Sequence, residues 1–467
     1  MELKPSFERL QQHFEREPYI SCAKRKENLI TLKKLLQTNA EELAQAVNDD
    51  FRHRARHETL LLEIFPVINA INYCLKHLKK WTKRRKRHVS WLFKPASAYV
   101  LPQPLGVVGI IAPWNYPIFL TAGPLIYALA AGNRVMVKMS ELTPATGDLF
   151  DKFIKRSNLA DSVTIVNGGV EVAREFASLP FKHLLFTGST NVGKLVMKEA
   201  AQNLTPVTLE LGGKSPVFVS TTINPEHFER LFMGKMANAG QTCVAPDYLL
   251  IPKHWESRVE KALREFIQQS YVAFPNSHDY SSIISEQHEK RLQALLNDAR
   301  EKGARIVQIG EEGIQSKKVP IFLLFEPNYE MAVMKEEIFG PLLPVISYHN
   351  LQEAIDKINS LHNPLVFYYF GNDKAEKKAL QEKTLSGAFV VNDTLTYLGI
   401  DDLPFGGVGY SGMGHYHGQE GFDTFSKLKP VFIQKRFAMT PWFYPPWGKL
   451  TNYLLSWVAG IHLKEKK

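Results

Sequence analysis

Cysteine is scarce in this sequence: three residues in 467, Cys22, Cys74 and Cys243. An odd count cannot close a framework of bridges, and a chain of this length needs neither bridges nor a structural metal to build a core. A reducing, cytoplasmic setting is the expectation. Long apolar runs are missing too. The longest apolar region, Leu105 to Gly132, is interrupted by Pro113, Asn115, Pro117 and Pro124, so it reads as two short buried elements and not as one spanning helix. The opening MELKPSFERLQQHFEREPY has no apolar stretch of the secretory kind, and Phe7, Leu10 and Phe14 recur at helical spacing. Internal repeats and low-complexity tracts are absent. Acidic residues are in the minority, 47 Asp and Glu against 57 Lys and Arg, for a formal net charge of +10. With 45% hydrophobic and 22% charged residues, the composition is that of a globular chain of roughly two to four units. It excludes a disordered chain, a collagen-like repeat and a disulfide scaffold.

Much of the basic excess sits in one run, residues 79 to 88, where seven of ten are Lys or Arg. Such a run is usually a solvated face, and no nucleic acid partner is expected from it. The C-terminal segment PWFYPPWGKLTNYLLSWVAGIHLKEKK is unusually aromatic. Its apolar stretch from Leu450 to Leu463 is about 14 residues, short of the ~20 that span a bilayer. Leu450, Tyr453, Leu454, Trp457, Val458 and Ile461 share a helical face. Two readings stand side by side. One is an interfacial anchor, bordered by Lys464, Lys466 and Lys467, resting on the inner membrane surface. The other is a helix docked on the body of the protein or on a partner subunit.

The first ~85 residues read as helices, with Asn39 and Glu42 as a capping pair ahead of Leu43, Ala46 and Val47. From residue 98 the pattern changes to an alternation. Strands are predicted at Val107–Ile111, Val135–Lys138, Val163–Val166 and Lys182–Thr187, with helices near Thr121–Ala131, Pro144–Lys155 and Val172–Ser178 between them. That rhythm implies an α/β fold with a parallel, doubly wound sheet, whose ligands bind at the C-terminal ends of the strands.

Most of the chemistry-bearing segments fall at such ends, while Cys243 lies in a loop after the helical stretch Pro225 to Ala239. Gly188-Ser189-Thr-Asn-Val-Gly193 joins a strand to a helix, where main-chain N–H groups and the helix dipole face a pyrophosphate, although the spacing is not GxGxxG and the turn alone is also a plain tight turn. Lys138 and Glu141 follow another strand, placed to bind ribose hydroxyls or simply to face solvent. Asn115 in APWNYP stands between prolines, which suits a fixed amide donor or a turn. Glu210 in LELGGKSP is a carboxyl at an apolar strand end; burial there raises its pKa and fits a general base, whereas a salt bridge would make it structural. Cys243 in GQTCVAP is a loop thiol, either exposed to substrate and ionisable or packed in the core. A thiol, a carboxylate and an amide are the parts needed to attack a carbonyl through sulfur.

These segments, with EEIFGP (336 to 341) and LPFGGVGYSGMGHYHGQEGFDTFS (403 to 426), resemble the aldehyde dehydrogenase superfamily, in particular its short class 3-like branch and, within it, the bacterial coniferyl-aldehyde type. The resemblance runs from the N-terminal helices to about Lys435. It implies an aldehyde dehydrogenase-like fold: an NAD(P)-binding Rossmann-like domain at 1–85 and 105–211, a catalytic domain at 212–411, a small β oligomerisation arm at 86–104 and 412–440, and the apolar tail at 441–467. It implies Cys243 as nucleophile, Glu210 as general base, and Asn115 with the Cys243 N–H as oxyanion donors. Gly188, Ser189 and Gly193 would form the phosphate turn beside Trp114, with Lys138 and Glu141 on the adenosine ribose, Glu337 on the nicotinamide ribose and Phe339 near the ring. The implied reaction is oxidation of an aldehyde to the acid through a thiohemiacetal and a thioester, by a homodimer using NAD or NADP and no metal. Met139 stands where the family commonly has proline, which leaves NAD against NADP open. Tyr410 replaces a common Asn and bears on subunit contacts. Trp114, Tyr116 and Phe405 lean towards an aromatic or long-chain substrate, or are core packing. Competing readings are a relative that passes the thioester to coenzyme A, which tends to lack a carboxylate like Glu210, a cysteine hydrolase without cofactor, and a catalytically dead membrane- or nucleic-acid-binding protein.

Overall fold

The computed structural model describes residues 3–310 and 318–461. Helices form where apolar spacing puts them: Leu3–Arg16, Cys22–Thr38 and Ala40–Asp50, then Arg56–Thr59, which continues through a widened turn at Leu60–Ile64 into Phe65–Trp81. Ser21 starts the second helix by accepting from the Lys24 N–H at 3.1 Å. Asn39 does stand at the start of Ala40–Asp50, but its side chain makes no cap bond there. Its amide donates to the Leu35 carbonyl at 2.7 Å and closes the preceding helix instead. The joint segment Arg56–Trp81 is long and apolar enough to cross a membrane. It is a core helix nonetheless: Val67, Ile71, Cys74 and Leu78 are buried, and its face packs on Cys22–Thr38 and Phe119–Ala131.

The strands, in chain order, are β1 (Arg85–Arg87), β2 (Ser97–Pro104), β3 (Val107–Ile111), β4 (Arg134–Lys138), β5 (Val163–Val166), β6 (Leu184–Gly188), β7 (Val207–Leu211), β8 (Pro216–Val219), β9 (Tyr248–Pro252), β10 (Arg305–Ile309), β11 (Ile321–Phe325), β12 (Leu342–Tyr348), β13 (Val366–Phe370), β14 (Ala388–Val391), β15 (Gly412–Met413) and β16 (Ser426–Ile433). They form three sheets. The first has the order β15-β7-β6-β3-β4-β5, antiparallel only at β15. The chain winds outward from β3 through β4 to β5, then returns past β3 to β6 and β7. The order reverses between β3 and β6, so the crevice expected of such sheets opens beyond the ends of these two strands. Strands β3, β4 and β5 are buried on both faces, as parallel strands covered by helices must be. The second sheet has the order β10-β11-β12-β9-β8-β13-β14, with β10 alone antiparallel.

The third sheet is β1-β2-β16, with β2 and β16 paired from Ser97↔Ile433 to Pro104↔Ser426. The outer edge of β16 has no partner strand among the described residues. Two expectations are corrected. Gly412 and Met413 pair with Glu210 and Leu209 of β7, and the helix Gly418–Thr424 packs on Phe119–Ala131, so the segment from 412 to 425 belongs to the body and the arm strand begins at Ser426. Pro124 does not interrupt the apolar region; it lies inside the helix Phe119–Ala131.

The tail folds into the helix Lys449–Ala459. Leu454 is buried, and the Trp457 ring meets Trp91 edge-on at 5.3 Å, so this helix docks on the segment between β1 and β2. Leu450, Tyr453, Trp457, Val458 and Ile461 remain exposed. Lys464, Lys466, Lys467 and the end of the apolar stretch at Leu463 lie outside the described residues.

Candidate active site

A cleft of about 540 Å³ opens where the first sheet's crevice faces the second sheet. Trp114, Asn115, Gly188, Ser189, Glu210, Cys243, Glu337 and Phe339, scattered over the sequence, all line it. Lys138 and Glu141 do not line it. They close the neighbouring strand β4, where Lys138 Nζ donates to Glu141 Oε2 at 3.0 Å. Gly193 is not a cleft residue: a Cβ there would lie 2.7 Å from Leu211 Cδ2, so the glycine serves the packing of its helix on the sheet. Tyr116 and Phe405 are also turned away from the cleft. Tyr116 is buried under the Arg54 guanidinium, and Phe405 stacks on His417 and meets Tyr416 edge-on.

Cys243 owes its place to a sharp turn. After the helix His227–Met236 the chain takes left-handed conformations at Asn238 (φ 51°), Ala239 (φ 52°) and Gly240 (φ 77°). A Cβ on Gly240 would lie 2.5 Å from the Gly340 carbonyl oxygen, so glycine is required there. The turn is tied to the loop after β3: Asn115 Nδ2 donates to the Gln241 carbonyl at 3.1 Å, and the Tyr116 and Thr242 hydroxyls lie 2.9 Å apart. One N–H of the Asn115 amide is thus committed, and its second remains for a ligand. The thiol is half-buried. Burial first, then the Glu337 and Glu210 carboxylates, push it up to about 12. Cys243 thus lines the cleft, and its surroundings disfavour the thiolate there.

Glu210 is buried at the end of β7, and neither carboxyl oxygen has a hydrogen-bond partner. Burial raises it well above the ordinary carboxyl value. The Thr187 hydroxyl, on the paired residue of β6, is likewise unpartnered. Buried polar atoms without partners are rare and mark places that await water or substrate. Glu337 is pushed up to about 8 by burial and then by Asp247. Its carboxyl sits over Gly212, where a Cβ would come within 1.9 Å of Oε2. The first glycine of LELGG is what admits this carboxyl.

Several supporting residues were not singled out from the sequence. Lys214 forms a buried ion pair with Asp247 and donates to the Val333 carbonyl at 2.6 Å, while Asp247 Oδ1 accepts from the Ile338 N–H at 2.9 Å. Together they fix the EEIFGP loop under the cleft. His288 and Phe339 flank Trp114 edge-on, at 4.9 and 5.3 Å. Tyr410, expected to bear on subunit contacts near the site mouth, does line the cleft: it stacks on His362 at 3.6 Å, lies under Lys194, and its carbonyl accepts from Thr190 Oγ1 at 3.0 Å.

The residues fit a dinucleotide. β6 ends at Gly188, Ser189 caps the helix Thr190–Ala201, and that helix's first turn faces the cleft with N–H groups the helix itself leaves free. A doubly wound sheet whose crevice faces a cysteine, a buried carboxyl and a side-chain amide defines a nicotinamide-dependent dehydrogenase working through sulfur. The particular family follows: the aldehyde dehydrogenase family matches residues 7–431, and the chain belongs to it. It is 49% identical to a "Probable coniferyl aldehyde dehydrogenase" of Pseudomonas aeruginosa, over 97% of this chain and 95% of that one. It is 44% identical to a "Coniferyl aldehyde dehydrogenase" of a Pseudomonas species, over 90% and 89%. Its structure matches the substrate-bound state of Staphylococcus aureus AldH with a TM-score of 0.93 at 36% identity, covering 98% of this chain and 100% of that one. The protein is an NAD(P)-dependent aldehyde dehydrogenase, oxidising aldehydes to acids.

Proposed function

We propose that the substrate is an aromatic aldehyde of the coniferyl type and that Cys243, Glu210 and Asn115 carry its oxidation. The observation that carries this reading is the meeting of a thiol, an unpartnered buried carboxyl and a free amide N–H in one cleft. Cys243 Sγ bonds to the carbonyl carbon, and the oxygen that gains charge is met by the Asn115 Nδ2–H and the Cys243 N–H. A bound oxidised nicotinamide supplies the hydride acceptor and a positive charge that favours the thiolate. Gly188 and Ser189 would hold its pyrophosphate, Lys138 and Glu141 its adenosine ribose, and Glu337 its second ribose, with Phe339 and Trp114 beside the ring. Once hydride has left the former carbonyl carbon, the ionised form of Glu210 takes a proton from water, whose oxygen displaces the Cys243 thiolate from the acyl carbon and frees the acid. The names of the Pseudomonas relatives and the Trp114 ring in the cleft support the aromatic choice. A second reading, a long-chain aliphatic aldehyde taken up at a membrane, rests on the exposed apolar face of the tail helix.

The test is kcat/KM for benzaldehyde, coniferaldehyde, hexanal and hexadecanal with both cofactors. Coniferaldehyde is expected to lead; a lead for hexadecanal favours the second reading. Cys243→Ala abolishes turnover. Glu210→Gln keeps a stoichiometric burst of reduced cofactor but loses about a hundredfold or more in steady turnover. We propose further that the chain is a homodimer joined along β16, and that the tail touches membrane peripherally.

A further inference from the structure

One buried cation behind the cleft touches the loop of Asn115 and, through Glu58, is linked to the turn that carries Cys243. Arg54 precedes the helix Arg56–Thr59, and its side chain is wholly buried. Its Nη1 donates to the main-chain carbonyl of Asn115 at 2.9 Å. Its Nε lies 3.3 Å from Glu58 Oε2, and Nη2 lies 3.7 Å from Glu63 Oε1. Its guanidinium is 4.9 Å from the centre of the Phe51 ring and 4.8 Å from that of Tyr116. Glu58 accepts the Asn238 N–H at 2.7 Å and also the Ser281 hydroxyl. Asn238 Nδ2 donates to the Asn115 and Gln241 carbonyls at 2.9 and 3.1 Å, and Asn115 Nδ2 returns to Gln241. The contacts form a closed ring, Arg54 to Asn115 to Gln241 to Asn238 to Glu58 and back.

This ring explains how a costly turn persists. Asn238 and Ala239 hold left-handed conformations that side-chain-bearing residues avoid, and such strain survives only where the surroundings over-determine it. Glu58 and the Asn238 amide provide that determination, and Arg54 joins it to the loop of Asn115. A planar guanidinium meets the Asn115 carbonyl and the Glu58 carboxylate at once, which a lysine ammonium on a flexible stem does not do. We propose that Arg54, braced by Glu58, is a positioning residue for the oxyanion site. It sets the separation between the Asn115 side-chain amide and the Cys243 N–H. This rests on the reading of Asn115 as an oxyanion donor.

The test is a double-mutant cycle between Arg54→Lys and Asn115→Ala, read as the single-turnover rate of reduced cofactor formation with benzaldehyde. Arg54→Lys is expected to slow that step by about a hundredfold. Cofactor affinity, followed by fluorescence quenching, should change by less than about twofold, since none of the ring residues but Asn115 lines the cofactor cleft. In the Asn115→Ala background the same change should cost little more, because its route to the reaction has been removed. If Arg54→Lys leaves the rate intact, weakens cofactor binding in step with the rate, or multiplies with Asn115→Ala, the Arg54 inference falls and the role of Asn115 stands. A wild-type rate in Asn115→Ala overturns the oxyanion reading itself. Should Arg54→Lys not fold, Glu58→Gln replaces it in the cycle with the same outcomes, since it keeps an acceptor for Asn238 but removes the charge opposite Arg54.

Discussion

Cys243 and Glu210 share a site that disfavours the charged form of each. The thiol is pushed up to about 12 and the carboxyl is raised, in each case chiefly by burial. Thiolate is the reactive form, so below that value each pH unit brings about tenfold more of it. Alkylation of Cys243 by iodoacetamide without cofactor is therefore expected to climb from pH 7 to pH 10 with no plateau, as read by mass spectrometry. A plateau near the ordinary thiol value of about 8.5 would contradict this. Glu337 gives a stability counterpart. Its folded value of about 8 stands above the usual carboxyl value of 4.5, so its stabilising contribution is complete below 4.5 and is lost as pH rises towards 8. Glu337→Gln removes that loss. It should raise Tm at pH 8 relative to wild type, by about 2 °C or more, and change little at pH 5. An equal effect at both pH values would mean that the carboxyl ionises freely in the folded protein.

Among the elements, the turn from Ala237 to Gly240 decides where the nucleophile points. Gly240→Ala places a methyl group 2.5 Å from a main-chain oxygen, in a left-handed conformation. It should cost about 2 kcal/mol or more in urea unfolding, with a fall in turnover. Unchanged stability would show that the Gly340 segment yields. This turn also marks where sequence reasoning ended. Strands β3 to β6 and their helices were legible because apolar spacing is a local signal, and Asn115, Gly188 and Glu210 were legible because they sit at or just past strand ends. Arg54, Glu58 and Asp247 were not, since their meaning lies in partners far along the chain: Arg54 bonds a residue 61 positions away, and Glu58 one 180 away. Asn39 failed for a related reason. Its sequence fits the cap of the following helix, but the preceding helix offers its amide a carbonyl at 2.7 Å. Tyr116 and Phe405 sit in or next to site motifs yet face the core, because motif membership does not specify the direction of a side chain.

For the whole molecule, two surfaces carry more than a lone chain needs. The outer edge of β16 has no partner strand among the described residues, and natural proteins rarely leave such an edge free. Pairing it with a second copy makes a dimer, which light scattering should detect at micromolar concentration; a monomer there removes the dimer proposal. The tail poses the other question. Its helix is anchored by Leu454 and the Trp457–Trp91 contact, but Tyr444, Trp447, Leu450, Tyr453 and Trp457 keep wide exposure. Trp91 lies three residues beyond the basic run, whose Lys83, Arg84, Lys86 and Arg87 are exposed as well. Aromatic rings beside lysines and arginines match an anionic bilayer surface, where rings settle at the headgroups and each basic residue adds about 1 kcal/mol. A second subunit would match the rings but would gain nothing from the charge. The two partners therefore separate by salt. Flotation with phosphatidylglycerol vesicles should carry the full chain at low ionic strength, release it near 0.5 M salt, and fail for a chain cut after Arg436. Equal flotation with and without the tail would remove the membrane proposal. A tail-dependent dimer insensitive to salt would assign the same aromatic face to the partner subunit.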